Sequence, residues 1–222
     1  MRGRFITFEG GEGAGKSTHA ALLAQRLRAL GIGVVLTREP GGSPGAEIIR
    51  HVLLSGAAKP LGADAEAILF AAARDDHVRH TIEPALARGR WVICDRFSDS
   101  TRVYQGIVGK ADLKLITGLE RITLGELKPD LTFVLDVPAD VGTARANKRR
   151  GEGEADRFEG EQPQFHDRLR EAFRTLALSE PDRCVLIDAC EPRAEVAEKI
   201  WKVANERLEP ATAPVAIGDM AS

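Results

Sequence analysis

The stretch that decides the fold is Gly10-Gly11-Glu12-Gly13-Ala14-Gly15-Lys16-Ser17, which is followed by Thr18. It fits the pattern G-x-x-x-x-G-K-[ST] and lies between an apolar run, residues 5–8, and a segment with helical spacing, residues 16–30. Small residues let consecutive backbone N–H groups turn toward one anion. Lys16 can then reach the β- and γ-phosphates, and Ser17 can offer its hydroxyl to Mg²⁺. Because the flanking strand and helix disfavour an accidental glycine-rich turn, the sequence predicts a phosphate loop that binds a nucleoside triphosphate.

The rest of the chain alternates apolar runs with helix-like segments. The predicted strands are residues 5–8, 34–37, 91–94, 131–137 and 184–187, and the predicted helices are residues 16–30, 65–87, 112–124, 139–149, 163–178 and 193–208. Near-continuous apolar strands between helices are typical of a parallel sheet that is covered on both faces. We therefore expect an α/β fold of the P-loop NTPase type, with a five-stranded parallel sheet, helices on both faces and a short lid.

Composition excludes several classes of protein. The 222 residues are 43% hydrophobic and 29% charged, which suits one globular domain, expected over residues 1–208. The formal net charge of −2 predicts no binding of a nucleic acid polymer. Because no run of 18 apolar residues and no apolar leader is present, we expect no membrane partner and a cytoplasmic protein. The cysteines, which lack paired spacing, are predicted to be reduced core thiols: Cys94, Cys184 and Cys190.

Two segments depart from the alternation of strands and helices. Residues 148–161 are dense in charge and glycine and lie between two predicted helices, so we expect them to form a lid. Residues 209–222 are rich in proline and alanine and are predicted to be a disordered tail.

The phosphate loop alone does not separate kinases from GTPase switches and mechanical ATPases. A GTPase would need an N-K-x-D guanine reader, but Asn147-Lys148 continues as Arg149-Arg150. A small-molecule kinase needs a second anion site in line with the γ-phosphate. Arginines that follow strands can provide it, and the candidates are Arg38, Arg74 and Arg96. Asp95 can hold a Mg²⁺-bound water, although an Asp95–Arg96 surface ion pair is the alternative.

Several segments together resemble the bacterial thymidylate kinase family. They are FEGGEGAGKST (residues 8–18), TREPGG (37–42), FAAAR (70–74), DRFSDSTRVYQG (95–106) and PDLTFVLDV (129–137). The phosphate loop is common to many families, whereas the combination of the other segments is highly specific, and the similarity runs from about residue 4 to residue 188. The resemblance implies an enzyme that phosphorylates dTMP with ATP and Mg²⁺, and it suggests a homodimer.

The resemblance also implies roles for residues on the acceptor side. Phe70 would stack on thymine, and Arg74, one helical turn later, would donate to a base carbonyl. Arg96, with Arg38 nearby, would bind the dTMP phosphate, and Pro40 would follow a cis peptide bond beneath the sugar and phosphate. If the resemblance is set aside, the favoured alternative is that Phe70 is a core residue and that Arg74 is solvated.

The remaining acceptor residues follow the third predicted strand or lie in the phosphate loop. The resemblance places Thr101 at the base edge and Tyr104 against the deoxyribose, where its ring would exclude a 2′-hydroxyl. Gln105 would support this loop. Glu12 would face the 3′-hydroxyl and phosphate of the acceptor, and such a carboxylate needs Mg²⁺ or an arginine close by. The alternative for Thr101 is a helix cap or a surface hydroxyl, because a lone threonine usually has one of these roles.

The family divides by the position of its catalytic arginine. The phosphate loop here contains no basic residue before Lys16, whereas the lid is rich in arginine, so the chain resembles the type that supplies the arginine from the lid. Arg149 and Arg157 are the candidates, and Arg145 would lie against adenine; a merely solvated charged loop is the alternative. The rival functions are another nucleoside monophosphate kinase, for adenylate, cytidylate or guanylate, and a non-enzymatic nucleotide switch.

Overall fold

The fold is a five-stranded parallel sheet, described in a computed structural model over residues 2–151 and 157–210. Its strands are β1 (Phe5–Gly10), β2 (Val34–Arg38), β3 (Trp91–Asp95), β4 (Leu131–Asp136) and β5 (Cys184–Asp188). They lie in the order β2-β3-β1-β4-β5, and every neighbouring pair is parallel. The predicted strands and the parallel sheet are confirmed.

Helices connect the strands. They are α1 (Lys16–Ala29), α2 (Pro44–Leu54), α3 (Ala63–His77), α4 (Glu83–Ala87), α5 (Ser98–Thr101), α6 (Leu113–Leu124), α7 (Ala139–Arg150), α8 (Pro163–Ser179) and α9 (Arg193–Leu208). A short 3₁₀ helix (Lys59–Leu61) precedes α3. Two π-helical segments extend helices: Val78–Ile82 joins α3 to α4, and Arg102–Val108 continues α5.

The sheet has one apolar core on each face, because successive side chains of a strand point to opposite sides. On one face, Ile6 and Phe8 of β1 pack with α1 and α9. On the other face, Phe5 of β1 packs against the helical run from Val78 to Leu86, and α8 covers β4 and β5. The expected helices on both faces are therefore confirmed.

Two helices were missed by sequence analysis. α2 begins directly after Gly41-Gly42-Ser43, where the glycines and Pro44 indicate a loop, yet proline is well suited to the first turn of a helix. Residues 98–108 are polar and contain Gly106, and their π-helical backbone does not follow the spacing of an α-helix. Both helices border the cleft that is described below.

The lid and tail predictions fall partly outside the described residues. Of the expected lid, residues 148–150 belong to α7 and residues 157–160 form turns, whereas residues 152–156 lie outside the described part. The predicted tail lies outside the described residues from residue 211 onward.

Cys94 and Cys184 are buried as expected, but Cys190 is exposed, because it stands in the loop after β5. The prediction of Cys190 as a core thiol was therefore wrong. Among residues 2–151 and 157–210, we find no helix with the length and apolar character needed to span a membrane.

Candidate active site

The phosphate loop joins β1 to α1 with a backbone that only glycine adopts readily. Gly10, Gly13 and Gly15 have φ angles of 130°, 65° and 91°. A Cβ atom on Gly13 would lie 1.9 Å from the carbonyl oxygen of Gly142, so the loop also packs directly on α7. Because Gly15 stands immediately before α1, the loop ends at a helix N-terminus, which favours a bound anion.

The two side chains expected at the donor phosphates follow this loop, in the first turn of α1. Lys16 is buried, and its Nζ donates to the carbonyl oxygen of Gly11 at 2.6 Å. Burial, together with the positive charge of Arg96, lowers the pKa of Lys16 to about 8. The hydroxyl of Ser17 donates to Oδ2 of Asp95, which ends β3. A hydroxyl and a carboxylate side by side are oxygen ligands of the kind that Mg²⁺ prefers.

Arg96 is the centre of a polar cluster in the same cleft as Lys16. Its backbone has a φ angle of 69°, and its guanidinium donates to Oε1 of Glu12 at 2.6 Å and to the hydroxyl oxygen of Tyr104 at 3.0 Å. The Tyr104 hydroxyl in turn donates to the same Glu12 oxygen at 3.0 Å. Burial opposes ionisation of Glu12, but the charges of Arg96 and Lys16 outweigh it and lower the pKa of Glu12 to about 2. The predicted need of Glu12 for a nearby arginine is thus met.

A second buried cluster surrounds Glu39. Arg74 is only 2% exposed, and its Nε donates to Oε2 of Glu39 at 2.8 Å, while its Nη2 donates to Thr101 Oγ1 at 3.0 Å. His77 lies 3.0 Å from the other Glu39 oxygen. The alternative in which Arg74 is solvated is therefore wrong. The carboxylate holds the guanidinium in a fixed place, since buried charges must be paired.

Both clusters and the donor side chains line one cleft with a cavity volume of about 290 Å³. The peptide bond between Glu39 and Pro40 at its floor is cis, as expected. All nine residues predicted for the acceptor side line this cleft: Glu12, Arg38, Pro40, Phe70, Arg74, Arg96, Thr101, Tyr104 and Gln105. Lys16, Ser17, Asp95 and Arg149 line it as well. The structure thus brings the donor and acceptor candidates into a single cavity.

Two of the candidate arginines do not line the cleft. Arg157 pairs with Glu66 and Glu161, and Arg145 donates to the carbonyl oxygen of Ala189 at 2.9 Å. Arg149 does line the cleft and pairs with Glu159 at 3.0 Å. Of the two predicted lid arginines, only Arg149 is therefore placed where it faces the other functional side chains.

Sequence analysis missed several residues that shape the site. Glu9 is buried and accepts from the backbone N–H of Phe97 at 2.7 Å and from the Ser100 hydroxyl at 2.6 Å, which fixes the turn that carries Arg96. Glu39 orients Arg74, and Phe158 adds an aromatic wall beside Phe70. Glu9 and Glu39 lie inside or next to the motifs, so acidic residues beside the predicted arginines were the available signal. Phe158 gives no comparable signal.

The fold and the site together define a class of protein: a P-loop kinase, with the end of its phosphate loop and a set of arginines lining one cleft. Residues 8–200 match the sequence model of the family described as thymidylate kinase. The chain is 60% identical over 207 residues to the thymidylate kinase of Afipia carboxidovorans, covering 93% of this chain and 91% of that one. It is 61% identical over 215 residues to the thymidylate kinase of Rhodopseudomonas palustris (strain CGA009), covering 96% and 94%.

Structure comparison agrees with sequence comparison. The crystal structure of thymidylate kinase from Ehrlichia chaffeensis superposes with a TM-score of 0.73 at 35% identity, over 92% of this chain and 99% of that one. The chain therefore belongs to the thymidylate kinase family. Membership makes it a transferase that phosphorylates a nucleotide, dTMP.

Proposed function

We propose that the chain transfers the γ-phosphoryl group of ATP to dTMP, with Mg²⁺, and so forms ADP and dTDP within one domain, residues 1–208. The observation that carries this proposal is that two cationic side chains line one cleft, Lys16 of the phosphate loop and Arg96 at the end of β3. Phosphoryl transfer depends mainly on positioning and charge neutralisation, and this arrangement provides both.

The donor nucleotide binds along the phosphate loop. Backbone N–H groups of residues 10–18 receive the phosphates, Lys16 pairs with the β- and γ-phosphates, and Arg145 lies beside adenine. Support for this position of Arg145 is its place on α7, the helix on which Gly13 packs, and its hydrogen bond to the loop after β5. Negative phosphates beside Lys16 favour its protonated form, because an opposite charge raises the pKa of a lysine.

Ser17 and Asp95 hold Mg²⁺ in this proposal. The residues fit the ion, since the hydroxyl and the carboxylate are already in contact and Mg²⁺ usually completes its octahedron with waters and substrate phosphates. When bound, the ion neutralises the charge that develops on the transferring group. The protein supplies the two oxygen ligands, one from Asp95 at the carboxyl end of β3 and one from Ser17 in the first turn of α1.

The acceptor nucleotide lies between Phe70 and the Arg96 cluster. Phe70 stacks on thymine, Arg74 and Thr101 contact the base edge, and Gln105 supports this wall. Arg96 and Arg38 bind the phosphate over Pro40, while Tyr104 packs on deoxyribose and excludes a 2′-hydroxyl. Glu12 receives the 3′-hydroxyl, and its low pKa keeps it an acceptor of hydrogen bonds.

Lid arginines complete the charge around the transferring group. Arg149 faces the cleft at the end of α7 and is the residue that we assign to the phosphoryl group. Arg157 contacts the ring of Phe158 and pairs with two carboxylates, Glu66 and Glu161. Closure of the lid would also exclude water that would otherwise hydrolyse ATP.

A panel of nucleoside monophosphates tests the function. ADP release with ATP and Mg²⁺ should be fastest with dTMP and should fall to background when the acceptor or Mg²⁺ is left out. Faster turnover of AMP, CMP or GMP would reassign the chain to another monophosphate kinase. Tight nucleotide binding without any acceptor-dependent ADP release would indicate a non-enzymatic switch.

The chain also functions as a cytoplasmic homodimer in this proposal. Helices α2, α3 and α6 are neighbours and expose large apolar side chains: Ile48, Val52, Ile68, Leu113 and Ile122. Such a patch favours burial against a second copy. Three free cysteines are consistent with a reducing compartment. Sedimentation of the protein should give a dimer that Ile68→Asp converts to a monomer; a monomer at all concentrations would contradict the assembly.

A further inference from the structure

Glu66 is a buried carboxylate outside the cleft that serves two different parts of the molecule. It lies in the first turns of α3 and is 5% exposed. Its Oε2 accepts from Nε2 of Gln105 at 3.2 Å, and its Oε1 accepts from Nε of Arg157 at 3.2 Å. One residue thus connects the acceptor wall of the cleft with the C-terminal end of the lid.

The contact with Glu66 fixes the side-chain amide of Gln105. A carboxylate paired with a guanidinium only accepts hydrogen bonds, so the amide nitrogen of Gln105 must face it. The carbonyl oxygen then lies on the other side of the amide, and Gln105 itself lines the cleft. Because Gln105 is only 1% exposed, this orientation is set before a ligand enters.

The contact with Arg157 holds the end of the lid against the same helix. The Arg157 backbone N–H donates to the carbonyl oxygen of Leu54 at 3.0 Å, and its side chain also pairs with Glu161. The next residue, Phe158, packs its ring 6.1 Å from Phe70 and 5.2 Å from Tyr104, between centroids. The position of Arg157 therefore determines the position of Phe158, which forms part of the aromatic wall of the acceptor site.

We propose that Glu66 is a positioning residue that couples residues 157–161 to the acceptor pocket through Arg157 and Gln105. This inference deepens the proposed function and rests on it. Arg157 fixes Glu66, Glu66 fixes the Gln105 amide, and Phe158 forms the wall next to Phe70. Loss of Arg157 should therefore lower the affinity of the acceptor site for dTMP, although Arg157 does not line the cleft.

Binding of dTMP without ATP tests the coupling and does not depend on turnover. Arg157→Ala should weaken the affinity for dTMP about fivefold, which is within the range expected for coupled residues. Lys59→Ala is the matched control, because Lys59 pairs with Glu161 of the same lid segment at 3.0 Å but does not contact Glu66. It should change dTMP affinity less than twofold.

The deciding measurement repeats the substitution in a Glu66→Gln background, which keeps the size of the side chain and removes its charge. There Arg157→Ala should change dTMP affinity less than twofold, and a full fivefold effect would overturn the proposal. If Glu66→Gln lowers the amount of folded protein, Glu66→Asp supplies a second background with the same expectation and the same overturning result, because its shorter side chain withdraws the carboxylate from Arg157 and Gln105. Wild-type protein that fails to bind dTMP at all would instead refute the proposed function.

Discussion

The donor and acceptor halves of the cleft are built in different ways. The donor half is one continuous stretch, residues 10–18, and presents mainly backbone groups. The acceptor half takes side chains from three separate segments, around Glu39, Arg74 and Arg96. A buried ion pair joins Arg74 to Glu39, and a hydrogen bond from Arg74 to Thr101 joins it to the segment of Arg96. A backbone cradle recognises phosphate in general, whereas a side-chain wall can distinguish one base and sugar from another. Substitutions should therefore affect rate on one side and acceptor choice on the other.

Lys16→Ala should have the largest effect. Removal of a fixed cation from the transferring phosphates typically costs a factor of hundreds to thousands, so we expect turnover to fall about a thousandfold. A coupled assay of ADP release at saturating dTMP measures it.

A matched control for this change is Lys199→Ala, because Lys199 is exposed and pairs only with Glu191 among the described residues. It should leave turnover unchanged. A Lys16 variant that keeps more than a tenth of the wild-type rate would break the distinction between the two halves, since the donor side would then work without its charge.

The same difference explains what the sequence could predict. The donor loop was readable from spacing alone, because its parts are adjacent in the chain and its neighbours have clear strand and helix patterns. On the acceptor side, the need for a second anion site suggested the arginines, but their separate roles came only from the resemblance. Spacing by itself favoured a solvated Arg74, yet that side chain is buried on Glu39. The partner lies 35 residues away in sequence, and no local pattern links the two.

The missed elements have a related cause. α2 follows glycines that indicate a loop, and residues 102–108 form a π-helix whose wider turn breaks the periodicity used to recognise helices. The assignment of Arg157 shows a further limit. Composition identified an arginine-rich lid but not the arginine that faces the cleft. Arg157 does not face it, because it forms ion pairs with Glu66 and Glu161.

Arg74→Lys should have an intermediate effect that is confined to the acceptor. Lysine keeps the charge that Glu39 needs but loses the planar guanidinium that also reaches Thr101. A lost charge-assisted hydrogen bond corresponds to about a 10- to 100-fold rise in KM for dTMP. KM for ATP should stay within twofold of the wild type.

Steady-state kinetics with each substrate varied in turn measures both constants. Arg79→Lys is a suitable control, because Arg79 follows on the same helical run but is exposed and pairs with Asp75. Equal increases in KM for ATP and dTMP in the Arg74 variant would show that the two halves are not separable.

Glu9→Gln should have the smallest effect and sharpens the comparison through pH. Burial and the charge of Asp99 raise the pKa of Glu9 to about 8 from an ordinary value of 4.5. Between these values the folded protein binds a proton that the unfolded chain has lost, so this residue makes stability fall as pH rises from 5 to 8. Glutamine does not titrate and can still accept from the Phe97 N–H. The Tm of the variant minus that of the wild type should therefore increase steadily over this range in thermal unfolding. A constant difference would mean that Glu9 is ionised throughout, and that the turn carrying Arg96 is held by a charged carboxylate.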